Sequence, residues 1–318
     1  MTSALPTSDR PVLILGGGGF LGINMTERLL AEGRPVINYS RSWLVRRDRP
    51  EARYVSAADG DLEALEGLIR ESAVVYHMAH GFSAATPRHV VAERLPALLE
   101  LNDRIMRTCR DAGVPLVYVS SGGTVYGKVE QVPTPEDAPT APINFYGVSK
   151  LAAERHFLAQ PGPDTIVLRV SNPYGPWQYG TGGQGVIGTW MRAVLQGQSL
   201  TIRGDGRAER DYVFVDDVVD AMLRAGEVGG SGTVLNVGFG EGRSLNDLLA
   251  AFRELFPGAV DCNYVDAAPS DVPVSVLDVS RAKDLLGWTP RTAFDDGLAK
   301  TRAWMERHVG GTPDQIPT

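Results

Sequence analysis

Cysteine is nearly missing from this chain. Cys109 and Cys262 are the only two in 318 residues, far apart and outside any metal-ligand spacing. That pattern excludes a disulfide framework and a cysteine zinc site, and it suits a reducing compartment. Both are expected to be small buried hydrophobes rather than functional thiols. Histidine is sparse too: His77, His80, His89, His156 and His308 share no ligand spacing, so no metal centre is expected. A surplus of positive charge is also absent. Lys and Arg number 31 against 38 Asp and Glu, a net −7, so no broad basic surface recruits nucleic acid or acidic lipid. Any anionic ligand must be met by local arginines or by helix ends. No apolar run is long enough to span a bilayer. Met1 to Arg10 lacks the apolar core of a secretory signal, and the tail after His308, with Gly310-Gly311 and two prolines, is expected to fray. The expectation is a soluble cytoplasmic protein with neither membrane nor nucleic acid as partner.

What the chain does have is a glycine-dense turn, Gly16-Gly17-Gly18-Gly19-Phe20-Leu21-Gly22. The apolar run Val12-Leu13-Ile14-Leu15 precedes it as a buried strand, and a helical pattern from Ile23 to Ala31 follows, ended by Gly33. Gly16, Gly19 and Gly22 fall at G-x-x-G-x-x-G spacing. Small residues there let the backbone turn sharply and approach a pyrophosphate, and the following helix aims its free N–H groups at it. Taken alone the motif is also an ordinary glycine-rich loop. Its strand–turn–helix setting favours dinucleotide binding.

The first half then alternates. Strands are expected over Pro35–Tyr39, Ala73–His77, Pro115–Val119 and Thr165–Val170, and helices over Asp61–Arg70, Arg88–Ala112 and Tyr146–Ala159. Such alternation implies an α/β fold with a doubly wound parallel sheet, whose ligands sit at the carboxyl ends of the strands. Beyond Val170 the pattern breaks into Gly, Pro and aromatics, although Thr233–Val237 could rejoin the sheet. The expected division places a dinucleotide-binding domain over 1–170, with 211–240 returning to it. A smaller interleaved C-terminal lobe takes 171–210 and 241–318.

Tyr146-Gly147-Val148-Ser149-Lys150 opens a helix, and spacing of four puts Tyr146 and Lys150 on one face. An ammonium beside a phenol favours the phenolate. Bringing the phenol from about 10 to about 7 requires roughly 4 kcal/mol. The bland reading is an incidental pair on a surface helix; the glycine turn upstream argues against it. Directly after strand Pro115–Val119 comes Ser120-Ser121-Gly122-Gly123-Thr124-Val125-Tyr126-Gly127, whose hydroxyls would lie at the sheet edge beside Tyr146. On its own, a Ser/Gly-rich stretch is usually just a turn. Neither Ser120 nor Ser121 has a G-x-S-x-G setting for acyl transfer.

These motifs, together with Arg169-Val170-Ser171-Asn172-Pro173-Tyr174-Gly175-Pro176, Gly204-Asp205-Gly206 through Arg210-Asp211-Tyr212, and Leu286-Gly287-Trp288-Thr289-Pro290, resemble the extended short-chain dehydrogenases/reductases. The similarity is to their epimerase/dehydratase branch, of UDP-glucose 4-epimerase type, and runs from about Val12 to about Arg307. It implies a Rossmann-type domain and a nucleotide-sugar substrate. Tyr146 would be the acid–base on the sugar hydroxyl, and Lys150 would hold the nicotinamide ribose. Gly16, Gly19, Phe20, Leu21 and Gly22 would cradle the cofactor pyrophosphate, Asp61 and Leu62 would meet its adenine, and Ala79 would line its trough. Asn172 and Arg210 would bind the pyrophosphate of the substrate, with Asp271 nearby in the C-terminal lobe. His80 is a possible sugar contact, and His77 reads as structural. The family's dimers use two helices per subunit, so a homodimer is expected through Arg88–Ala112 and Tyr146–Ala159, with Leu98, Leu101, Ile105, Ala153 and Phe157 as compatible apolar positions, although a face buried inside one chain would show the same pattern.

Three departures stand out. Ser40, followed by Arg41, replaces the acid that grips the adenosine 2′-hydroxyl, which leans NAD(P) towards NADP, with Arg46 or Arg47 close in sequence. Gly122 stands where the loop's catalytic Ser/Thr is usual, leaving Ser121 or Thr124 to supply a hydroxyl. Ala268 stands where a second phosphate-binding arginine is usual. The expected activity is 4-epimerisation of an NDP-hexose. The rivals are an NADPH-dependent NDP-4-keto-deoxyhexose 4-ketoreductase and, further off, a non-catalytic NAD(P)-sensing module.

Overall fold

In a computed structural model, residues 9–42, 49–57, 60–159, 164–180, 185–230, 232–266 and 272–308 are described. Strands β1 to β6 cover Val12–Leu15, Val36–Ser40, Ala52–Ser56, Val74–His77, Leu116–Ser121 and Thr165–Val170. Between and after them run helices α1 to α5: Phe20–Ala31, Leu62–Glu71, Arg88–Ala112, the single turn Gly122–Val125, and Phe145–Leu158. The later strands β7 to β13 are Asn172–Tyr174, Leu200–Arg203, Glu209–Phe214, Thr233–Val237, Gly242–Ser244, Cys262–Val265 and Val274–Ser275. Helices α6 to α10 are Val186–Leu195, Val215–Val228, Leu245–Leu255, Ser280–Leu286 and Phe294–His308.

Seven strands form one sheet in the order β10-β6-β5-β4-β1-β2-β3, every neighbouring pair parallel. Both faces are covered, which is why β1 is a continuous apolar run, 0 to 2% exposed, instead of an alternating one. Val12 and Ile14 pack on one side with Met25 and Met222, while Leu13 and Leu15 pack on the other with Ile105 and Phe157. β3 was not expected from the sequence. Its Ala-Arg-Tyr-Val-Ser run sits at the sheet edge and carries no sustained apolar signal.

The order places a crevice between β1 and β4, where the winding direction reverses. Around it lie the glycine turn after β1, Met78–His80 after β4 and the turn α4 after β5. A second, smaller set of strands (β11-β9-β13, with β7 also on β9) holds the later motifs. Asp217, at the start of α7, ties the far segment to the sheet by accepting from the backbone N–H of Arg291 and Thr292. Trp288 Nε1 donates to the Asp217 carbonyl at 2.9 Å.

Several expectations need correction. Cys109 is fully buried, but Cys262 sits half-buried on a strand whose other residues are exposed, so only the first is a core residue. Ile105, Ala153 and Phe157 face the chain's own core against the sheet and cannot present a surface to a partner. The exposed apolar residues at the head of α5 are Phe145 and Val148, 42% and 41% exposed. Among the described residues no helix is long and apolar enough to cross a membrane, and no group of three His, Cys, Asp or Glu could hold a metal ion.

Candidate active site

The glycine turn is a cradle built by close approach. Gly16 adopts φ +93°, and a Cβ there would fall 2.9 Å from the Ala79 amide nitrogen. A Cβ on Gly22 would fall 2.5 Å from the Gly16 carbonyl oxygen, so helix and turn meet backbone to backbone. Gly19, by contrast, has open space in front of it, with only the Gly16 oxygen at 3.4 Å. It is the N-cap of α1 and offers no side-chain cap. The helix therefore begins three residues earlier than its apolar pattern suggests, and its first-turn N–H groups face the crevice. These features fit a dinucleotide pyrophosphate: no side chain blocks the cradle, and donors and the dipole end point into it.

A cavity of about 470 Å³ extends from this cradle, lined by Gly16, Gly19, Phe20, Leu21 and Gly22 on one side and by Ser121, Thr124, Tyr146 and Lys150 on the other. Asn172, Pro173, Gln178 and Gly185 close its far end, and the same four also line a second cavity of about 690 Å³ that reaches Arg210. The glycine turn and the Arg210 motif thus line adjoining cavities.

Tyr146 lies in the first turn of α5, which Asn144 caps by accepting from the Gly147 N–H at 2.7 Å. Lys150 follows one turn later, 4% exposed, its Nζ donating to the Val119 carbonyl at 2.9 Å and lying over the Tyr118 ring. Burial pushes the Tyr146 phenol up to about 12 and the Lys150 amine down to about 7. This reverses the expected fall of the phenol. Desolvation of both groups outweighs their mutual effect in the protein by itself.

Gly122 is explained by space. A Cβ there would fall 2.9 Å from the Arg169 carbonyl oxygen and 2.5 Å from the end of Leu277, on the side away from the cavity. A hydroxyl at this position would not face the trough in this backbone, whereas Ser121 and Thr124 do line it. Behind the loop, Glu154 and Arg169 are 0% and 3% exposed and form an ion pair. Ser120 Oγ donates to Glu154 at 3.0 Å, and Arg169 Nη1 donates to Tyr126 Oη at 2.8 Å and to the Glu136 carbonyl at 2.9 Å.

The other expected residues divide. Ser40 Oγ donates to the Ser42 carbonyl, close beneath Gly18, and the Arg41 side chain is exposed with Nη2 near Gly81. Asp61 caps α2 by accepting from the Ala64 N–H at 2.9 Å, and Ala79 backs Gly16; neither these nor Leu62 line the 470 Å³ cavity. Arg46, Arg47, Ala268 and Asp271 lie outside the described residues. Arg210 is held by the Glu209 and Val272 carbonyls, at 2.8 and 2.9 Å. Its neighbour Asp211 points inward to accept from the N–H groups of Phe239, Gly240 and Leu277. Strand alternation thus gives the Arg-Asp-Tyr motif one structural and two cavity-facing members. His80 does not line either cavity and lies behind Tyr146 instead.

Sequence reasoning missed Gln178, which lines both cavities, and Tyr212, whose buried hydroxyl at the second cavity has no partner among the described residues. Tyr212 stands inside a recognised motif, but nothing in spacing marks an unsatisfied hydroxyl. Trp177, whose ring packs on Trp304 and His308, is the one non-glycine among the described residues at positive φ, 70°, and the adjacent Pro176 carbonyl accepts from Asn24 of α1 at 2.9 Å. Backbone strain of this kind collects at ligand sites.

A glycine cradle at a sheet crossover, feeding a Tyr-x-x-x-Lys cavity, defines a nicotinamide-dependent enzyme of Rossmann type. The chain belongs to the NAD dependent epimerase/dehydratase family, whose model matches residues 12–238, within the extended short-chain dehydrogenases/reductases. It is 34% identical over 304 residues to a UDP-glucose 4-epimerase of Mycolicibacterium smegmatis, covering 91% of this chain and 96% of that one. It is also 27% identical over 307 residues to an Escherichia coli dTDP-4-dehydro-6-deoxyglucose reductase, covering 91% and 95%. The structure of UDP-glucose 4-epimerase from Thermotoga maritima with UDP-glucose superimposes with a TM-score of 0.83 at 29% identity, covering 94% and 99%.

Proposed function

We propose that this chain is an NDP-hexose 4-epimerase of UDP-glucose type. The observation that carries the reading is the shared lining: Tyr146 and Lys150 line the same cavity as the glycine cradle, and that cavity shares Asn172, Pro173, Gln178 and Gly185 with the adjoining one that Arg210 lines. Tyr146 moves the proton at the sugar C4 hydroxyl, and Ser121 and Thr124 brace the reacting oxygen. Lys150 holds the nicotinamide ribose, the glycine turn holds the cofactor pyrophosphate, and Ala79, Asp61 and Leu62 flank its trough and adenine. Asn172 and Arg210 hold the substrate pyrophosphate, where a guanidinium pairs phosphate oxygens bidentately; Asp271 belongs to the same set. Bound by the glycine turn and Lys150, a nicotinamide cofactor would supply reversible hydride chemistry at sugar C4. Epimerisation also needs the keto sugar to present its second face, and two joined cavities give a hexose room to turn.

A second reading, an NADPH-dependent NDP-4-keto-deoxyhexose 4-ketoreductase, is favoured by Ser40 and Arg41. No carboxylate stands there to repel a 2′-phosphate, and the exposed Arg41 could pair with one, which supports NADP over NAD. A non-catalytic NAD(P)-sensing module has no use for the Tyr146–Lys150 pair. Denaturing the purified protein and identifying the released nucleotide separates the readings. Near-stoichiometric oxidised NAD or NADP is expected for the epimerase, because losing the cofactor mid-cycle would strand the keto sugar. Empty protein that binds NADPH reversibly would instead establish the reductase.

Residues 1–170 with 211–240 form the cofactor part, and 171–210 with 241–318 form the substrate lobe; β10 pairing with β6 supports the return of 211–240, while Ala282, Leu286 and Trp288 pack in the core of the cofactor part. A cytoplasmic location fits the two free cysteines. The partner is a second copy of the chain, docked through α3 and α5, with Phe145, Val148, Leu98 and Leu101 as its apolar contacts. Light scattering after size exclusion should return twice the chain mass, and a monomer mass would overturn the dimer.

A further inference from the structure

His80 packs against the Tyr146 ring, lines neither cavity and is only 8% exposed. Its ring stands nearly perpendicular to the phenol, with centroids 5.7 Å apart and an angle of 83°. Phe82 packs the same way on His80, at 5.5 Å and 82°. His80 Nε2 is 2.8 Å from Ser149 Oγ, and Ser149 Oγ donates to the Tyr146 carbonyl at 2.8 Å. With the serine hydrogen committed to that carbonyl, Nε2 must be the donor and Nδ1 carries the lone pair. Nδ1 is buried and has no partner among the described residues. Burial pushes the imidazole down to about 2, helped by Lys150 and His77, so the ring stays uncharged. The same short segment touches the cofactor cradle. Ala79 donates to the Leu15 carbonyl at 2.9 Å and forms the wall against which Gly16 packs.

We propose that His80 is a positioning residue for Tyr146, an uncharged imidazole that sets the angle of the phenol by ring contact and through Ser149, and so aligns it with the cradle that Ala79 supports. The inference rests on Tyr146 being the acid–base group. Two independent holds on the first turn of α5 leave the phenol one orientation, and a displacement of about 1 Å at a reacting group costs on the order of 100-fold. An aromatic edge contact alone would orient the ring without fixing the backbone beneath it; the Ser149 link supplies that second constraint.

The test compares wild type with His80→Phe, His80→Gln and Ser149→Ala, all labelled at tyrosine Cζ. The Tyr146 resonance is identified by its loss in Tyr146→Phe. His80→Phe keeps a ring and removes the donor, and His80→Gln does the opposite. Ser149→Ala is small enough to fold. The expected result is a displaced Tyr146 resonance in each variant and unchanged nucleotide release on denaturation. Turnover should fall about 10- to 100-fold at KM within threefold, and His80→Phe combined with Ser149→Ala should be no worse than either alone. An unmoved resonance with turnover within twofold overturns the proposal. So does loss of bound nucleotide and melting temperature in step with turnover, which marks a merely structural histidine. The resonance needs no turnover, so it decides the matter even if wild type converts neither substrate and the proposed function fails.

Discussion

Replacing Tyr146 with phenylalanine lowers kcat by about 10³-fold, the middle of the range for a lost acid–base group. Nucleotide retention and KM change less than about threefold, because the ring stays packed on His80 and only the hydroxyl is removed. Steady-state rates on UDP-glucose, or on the keto sugar nucleotide if the reductase reading holds, check this. Turnover preserved in the phenylalanine variant would remove Tyr146 from the chemistry.

The protonation states sharpen that expectation. In the protein by itself the phenol is pushed to about 12 and the lysine to about 7, so near neutrality Tyr146 keeps its proton, the state in which the proposed role has it protonate a C4 oxyanion. Taking a proton from a C4 hydroxyl requires the phenolate. Bringing the phenol from about 12 to about 7 takes roughly 7 kcal/mol, more than the unburied phenol would need. A protonated Lys150 and the positive charge that an oxidised nicotinamide would bring are the available sources. The oxidative half of an epimerase cycle therefore demands tight cofactor capture, whereas a reductase could run on the resting protonation state.

Glu154→Gln is the second large effect, a loss of about 3–5 kcal/mol in stability. Arg169 would stay charged, 3% exposed, beside a neutral amide. The reverse change, Arg169→Met, strands the Glu154 carboxylate and also unseats Tyr126 Oη and the Glu136 carbonyl. For a chain of this size the melting temperature should drop on the order of 10 °C. The double variant Glu154→Leu with Arg169→Met should recover part of the loss, because no buried charge remains unpaired. Thermal melts of the four proteins test this, and single variants within 2 °C of wild type would show that the pair contributes nothing. Since Ser120 bonds Glu154 and Tyr126 bonds Arg169, both singles should also loosen the loop that carries Ser121 and Thr124.

Much of the catalytic domain was legible before folding. The run at Val12–Leu15, the helix Arg88–Ala112 and the strands Thr165–Val170 and Thr233–Val237 follow from apolar patterning and terminal glycines. These are local signals: a strand covered on both faces must be apolar throughout, and a helix must stop where Gly113 adopts φ 65°. The glycine turn and the Tyr-x-x-x-Lys pair are local as well, each complete within one turn of chain. Edge strand β3 was lost because an exposed strand needs no sustained apolar run.

The sequence by itself marked most of the strands and helices of the parallel sheet and the two motifs proposed to carry the chemistry, because each is written in adjacent residues. Only the tertiary structure decided which side chains face the trough. His80 proved to stand behind Tyr146, Gly122 to point at Leu277, and Ile105, Ala153 and Phe157 to belong to the core. It also fixed the direction of the phenol's shift, since desolvation depends on everything packed around a group. Facing and burial are set by contacts between residues tens to hundreds of positions apart, and no local pattern records them.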